Sequence, residues 1–272
     1  MKDNEGGMGL NFFICLMIVL TITSWRVAMC RIAIRPGSHI ERIPLCSVFP
    51  LCISFFLFVL RAWAAPAVRT SAEDITLFLY IGMGWILIGE QLFSFLGISV
   101  RDDAIERHNK AAIIAVSGGL IGITLCYAGG NIGDGLTVET TFISAALATA
   151  VWFGCWLVIE QASGISDAIA LEHDRASGWR LAGVLVANGL ILARAVAGDW
   201  ISFEVTLHDL VRDGWPCLVL TAIAIALQKW LRPTPTKLQP APVACGFAPA
   251  LIFLLAAVVY LVRLGMWNQT LP

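Results

Sequence analysis

The sequence predicts an all-α, polytopic integral membrane protein of about eight transmembrane helices with an internally duplicated helical hairpin. Three observations predict it. The 272 residues are 58% hydrophobic and 14% charged, against roughly a quarter charged in a soluble domain. The apolar residues fall in continuous runs near the roughly 20 residues needed to cross a bilayer core of about 30 Å. Between about residues 74 and 199, one pattern is written twice.

The first copy reads Gly84-Trp85, Glu90-Gln91, Gly97-Ile98-Ser99, Asp103-Ala104-Ile105, His108-Asn109-Lys110-Ala111 and Gly118. The second reads Gly154, Trp156, Glu160-Gln161, Gly164-Ile165-Ser166, Asp167-Ala168-Ile169, His173-Asp174-Arg175-Ala176 and Gly183. Each copy is an apolar segment, a polar loop and a second apolar segment, hence a helical hairpin.

In chain order the spans are read at 9–29, 45–65, 75–96, 111–130, 139–162, 177–198, 211–231 and 244–266. Runs of this length are helices, because lipid obliges each segment to satisfy its own backbone groups. A transmembrane barrel would alternate every second residue, and no such alternation occurs. Leu10 to Met29 is longer than a typical signal-peptide core, and Trp25-Arg26 stands where a small-residue cleavage site would be. It is read as a retained helix. The spans group as an N-terminal hairpin (1–70), a duplicated four-helix core (71–200) and a C-terminal hairpin (201–272). Trp25 and Trp230 sit near span ends somewhat as Trp85 and Trp156 do, so the outer hairpins are candidate worn copies, although no polar motif repeats there.

Lys and Arg set the expected orientation. Arg31, Arg35 and Arg42 follow span one; Arg101, Arg107 and Lys110 follow span three; Arg175 follows span five, with Arg180 a turn inside the next; Arg232 and Lys237 follow span seven. The loops of the opposite side carry Lys2, Arg69 and Arg212, with no Lys or Arg between spans four and five. Those cation-rich loops are therefore expected in the cytoplasm, with both termini outside and the two copies running the same way. Pro233 to Pro242 reads as an extended link. The loop Asp199 to Asp213, carrying Trp200, Phe203, Leu207 and Leu210, reads as a short interfacial helix. Trp63, Trp200, Trp215 and Trp267 fall near span ends, where an aromatic belt would put them.

Several chemistries have no foothold. No basic tract suits nucleic acid, and no nucleotide-binding glycine loop, HExxH or GxSxG occurs. The eight cysteines (Cys15, Cys30, Cys46, Cys52, Cys126, Cys155, Cys217 and Cys245) form no CxxC pair and read as packing residues. His108 and His173 precede spans at matched positions, among charges. They read as helix-entry residues with Asn109 and Asp174 as N-caps, not as ligands of haem or metal. Gly118, Gly119, Gly122 and Gly183 read as helix-packing positions, with a lined pathway as the functional alternative. Glu90, Gln91, Glu160, Gln161, Asn188 and Arg194 form a candidate intramembrane polar site. The plainer reading has them snorkelling or paired structurally.

The run Asp103 to Gly122, DAIERHNKAAIIAVSGGLIG, resembles the YjfL-like bacterial inner-membrane proteins (domain of unknown function 350). The segment AGVLVANGLILARAVAG resembles the second half of those four-span proteins. The resemblance covers roughly residues 72–199. It departs from the pattern at Asp174, where the first copy has Asn109, and at the single Gly183. It implies a bacterial inner-membrane location, links to membrane-stress or polyamine-related systems, and no catalytic residues.

Three functions remain open. The first is a non-enzymatic accessory or scaffold subunit without a cofactor, partnered by lipid and by other membrane subunits or further copies of itself. The second is a channel or transporter with a path between the duplicated hairpins. The third is a haem- or quinone-binding electron-transfer subunit.

Overall fold

A computed structural model of the chain describes residues 39–135, 137–233 and 240–265. The expected first span, Ser38, Trp25, Trp267, the middle of the Pro-rich link and the side chains of Arg42 and Cys46 lie outside the described residues. All named elements are helical: α1 His39–Trp63, α2 Pro66–Thr70, α3 Ala72–Phe93, α4 Lys110–Gly129, α5 Val138–Ser163, α6 Ile165–Ala170, α7 Arg175–Val196, α8 Phe203–Gly214, α9 Pro216–Leu231 and α10 Ala248–Leu264. Among the described residues, five helices are long and apolar enough to cross a membrane, and six if α8 and α9 form one span. In α1 the apolar part is the shorter stretch Ser47–Trp63.

The expected span at 211–231 is broken. α8 and α9 meet at a 43° bend. Pro216 opens α9; its ring carries no N–H for a bond from the preceding turn, so the helix cannot run straight through. α8 is amphipathic. Phe203, Leu207 and Val211 are exposed, while Leu210 and Gly214 turn inward.

The two polar loops are also more ordered than their composition suggests. A π-helical turn fills Val100–Glu106 in the first, and α6 fills the matched part of the second. Matched residues leave the right-handed region in both copies: Gly97 (φ 81°) with Gly164 (φ 55°), and His108 (φ 56°) with His173 (φ 55°). Histidine is among the few non-glycine types enriched there. The following residue then caps the next helix. Asn109 Oδ1 accepts from the Ala111 and Ala112 amides, and Asp174 accepts from those of Ala176 and Ser177.

α1, α4, α7 and α10 lie side by side and run the same way. Val48, Lys110, Trp179 and Phe247 share one end of the row, and Trp63, Ile132, Ala197 and Gly265 share the other. Glycine and alanine hold α4, α7 and α10 of the row together. A Cβ on Gly118 would lie 2.4 Å from Ala182 Cα, and one on Gly178 would lie 2.5 Å from the Ala111 carbonyl oxygen. One helix further along, Gly183 meets Ala250 Cα at 2.4 Å and Gly246 meets Ala176 Cα at 2.6 Å by the same measure. Contacts this close leave no room for a side chain, so the backbones touch.

α3, α5 and α9 cover the back of the row. Trp152 of α5 is fully buried between α4 and α7, donating from Nε1 to the Leu185 carbonyl at 2.8 Å. It stacks edge-on against Trp156, and Phe93 of α3 packs on both. Gly119 and Gly122 admit these rings: Phe93 lies over Gly119 and Trp152 over Gly122.

Candidate functional site

The six polar residues expected as one site are not joined: none of them hydrogen-bonds or ion-pairs with another of the set. Glu90 is half-buried on α3 and makes no hydrogen bond or ion pair among the described residues, and Gln91 and Gln161 are exposed. Glu160 is occupied locally: its carboxylate accepts from the Ser166 amide (3.0 Å) and hydroxyl (2.6 Å). In the first copy the corresponding loop is held by Asp103, which accepts from the Ser99 amide (2.8 Å) and pairs with Arg107 (2.9 Å). The matched glutamates thus have different surroundings, because a different acid took the loop-closing position in each copy.

Asn188 is wholly buried in α7. Its Nδ2 donates to Thr221 Oγ1 at 3.3 Å, and its Oδ1 has no partner among the described residues. Arg194 sits in the last turn of α7, where its Nε donates to the Gly265 carbonyl at 3.3 Å. Among the described residues it has no carboxylate at ion-pair distance.

Sequence reasoning counted Arg180 only as an orientation charge. It is the centre of a buried polar cluster, at 1% exposure. Its guanidinium donates to Gln228 Oε1 (3.0 and 2.8 Å), to Ser177 Oγ (2.9 Å) and to the Cys245 carbonyl, and lies 3.5 Å from Asp174 Oδ2. Gln228 Nε2 donates to Ser177 Oγ, whose own proton goes to Asp174. The cluster ties α7 to α9 and to the turn before α10. The first copy lacks it: Ala112 and Ala115 stand where Ser177 and Arg180 do, and Asn109 Nδ2 instead donates to the Ile169 carbonyl at 2.6 Å. A charge seven residues past a loop histidine, with a Gln in a later span, was the only sequence signal for it.

The face of the row that the described residues leave uncovered carries the cavities. One hollow of about 620 Å³ lies at the Lys110 end, lined by Val48, Ile114, Gly118, Ala182, Gly183 and Leu254 among others. A second, of about 520 Å³, lies at the Gly129 end, lined by Phe55, Leu125, Leu190, Ala193, Arg194 and Leu261 among others. Both are almost wholly apolar. They continue one stripe: the residues of α7 that keep partial exposure between Trp179 and Val196 are Trp179, Val186, Leu190, Ala193 and Arg194, spaced at three, four and seven. The α4–α7 seam between the duplicated hairpins is filled by the glycine–alanine contacts. A third, polar hollow of about 400 Å³ adjoins the second through Arg194, and Asp199, Trp200, Asp209, Arg212 and Asp213 line it. Among the described residues, no three His, Cys, Asp or Glu side chains gather as a metal-holding group. No family model, no curated protein and no solved structure matches this chain.

Proposed function

We infer that the chain is a multi-pass membrane protein of about eight spans, seated in a bacterial inner membrane with both termini outside, and that it works as a non-enzymatic accessory or scaffold subunit. One observation carries this reading. Among the described residues, a row of parallel helices is locked backbone to backbone at its α4–α7 and α7–α10 seams and has one apolar face uncovered. Such a face offers shape and apolar area to a neighbour. A channel or transporter path between the duplicated hairpins would need polar groups along the α4–α7 seam, where Gly118, Ala182, Gly178 and Ala111 leave no space. The resemblance of residues 103–122 to the YjfL-like proteins fits the same reading.

Two measurements test it. Alkaline carbonate washing of membranes should leave the chain in the pellet; release into the supernatant would refute the membrane placement. Purification in mild detergent, with identification of co-purifying chains, should return a stoichiometric membrane partner. A monomer or homo-oligomer alone, active in proteoliposome flux, would overturn the accessory role.

A further inference from the structure

We propose that the hollow at the Gly129 end binds one zwitterionic aminophospholipid, with an acyl chain in the apolar hollow and the headgroup in the polar hollow beside it. The proposal rests on the membrane placement given above and on no partner subunit. Arg194 is central to it, since this side chain lines both hollows.

Its depth suits a phosphate. α7 has 22 residues, so it is about 33 Å long at 1.5 Å per residue, close to a hydrocarbon core of about 30 Å. Arg194 lies in its last turn, at the level where hydrocarbon gives way to headgroups. Trp63 lines the apolar hollow and Trp200 the polar one, as expected of aromatic residues at that level. From this boundary the apolar hollow runs inward along Phe55 to Trp63 of α1 and Leu190 to Ala197 of α7. That is about 10–12 Å, within one leaflet of about 15 Å. One acyl chain needs only this half.

Charge decides the headgroup. Arg194 spends one N–H on the Gly265 carbonyl and its charge is felt at Asp213, but its forked Nη pair has no hydrogen bond among the described residues and suits a phosphodiester. Arg212 is already held by Asp213 (2.8 and 3.0 Å) and Asp209 (3.2 Å). His208 stands 3.7 Å from Asp209, and Asp199 accepts from the Asp134 amide at 2.7 Å. The polar hollow therefore holds two guanidinium groups against the carboxylates of Asp199, Asp209 and Asp213. A purely anionic headgroup would meet net repulsion there. A phosphate on Arg194 with an ammonium turned toward Asp209 and Asp199 matches both signs.

The test uses the full chain in nanodiscs of equal phosphatidylethanolamine and phosphatidylglycerol, released into native mass spectrometry. The expected result is one retained phosphatidylethanolamine per chain. Arg194→Gln should cut the bound fraction about tenfold, the loss of a charge-assisted hydrogen bond. Leu261→Trp, which fills the apolar hollow from the edge helix, should do the same. Leu254→Trp fills the other hollow on that helix and should leave the adduct intact; it also reports whether a bulky residue on α10 disturbs folding. Preferential retention of phosphatidylglycerol, no adduct, or adducts equal in all three variants would each overturn the proposal. Because the chain is purified alone, its outcome is independent of any partner subunit.

Discussion

Asp174, Arg180, Ser177 and Gln228 put opposite demands on one small volume. Two charges are removed from water, and only the completeness of their hydrogen bonding makes that tolerable. Asp174 has a second duty as N-cap of α7. Asp174→Ala is therefore expected to cost about 3–5 kcal/mol, because it strands a buried guanidinium. Arg180→Met removes the cation and leaves Asp174 its cap and its Ser177 bond, so it should cost distinctly less. Thermal unfolding of the two variants in detergent decides the order; a costlier Arg180→Met would mean that the cluster is held by the arginine's packing. The left-handed histidines give a second prediction at this scale. His108→Val should destabilise by about 1–2 kcal/mol, the penalty for a branched side chain at positive φ, while His108→Asn should be near neutral. Equal melting of both variants would show that the loop relaxes.

Among the elements, the α4–α7 and α7–α10 seams of the row repeat one two-point contact. Gly118 on Ala182 with Gly178 on Ala111, and Gly183 on Ala250 with Gly246 on Ala176, have the same spacing along each helix pair. The turn before α10 reads Ala244-Cys245-Gly246-Phe247 where the start of α7 reads Ala176-Ser177-Gly178-Trp179. Trp179 and Phe247 stack edge-on at 5.1 Å. The C-terminal hairpin thus uses the small-residue contact of the core, although it lacks the core's polar loop. Gly118→Leu is expected to cost about 1–3 kcal/mol by forcing the backbones apart. A Cβ added at Gly154 would meet nothing within 4 Å, so Gly154→Ala should gain up to about 1 kcal/mol from helix propensity. Melting temperatures should therefore move in opposite directions; a shared direction would mean the α4–α7 contact is loose.

For the whole molecule, the parallel row makes the Lys110 end and the Gly129 end chemically unlike. Arg101, Arg107, Lys110, Arg175 and Arg232 stand at the first among the acids of the two polar loops, and Asp199, Asp209 and Asp213 outnumber Arg194 and Arg212 in the polar hollow at the second. Single-cysteine labelling in a cysteine-free background should reach Ser38 only from the cytoplasmic side and Asp134 only from outside. The reverse pattern would invert the orientation. Glu90 tests whether a half-buried acid with no partner among the described residues serves transport. Glu90→Gln should leave melting unchanged or raised, since no bond is lost, and leave ion flux in proteoliposomes at background. A clear loss of an existing flux would return the transporter reading.

Helical class, the two N-caps and the small-residue positions were legible in the sequence, because each rests on local periodicity, loop chemistry or residue size. The expected spans after residue 72 begin and end near the observed helices for the same reason, save where Pro216 bends one. Partnership was not legible. Whether Glu160 meets Glu90 or Ser166, whether Arg180 faces water or Gln228, and which side of the row stays open depend on the rotation of each helix about its axis. Packing against non-adjacent helices sets that rotation. Local residue order was enough to choose which segments become helices and which residues are small enough to let them touch. Which polar groups share a buried volume, and that Arg194 stands between an apolar and a polar hollow, came from tertiary packing, since both follow from contacts between residues far apart in the chain.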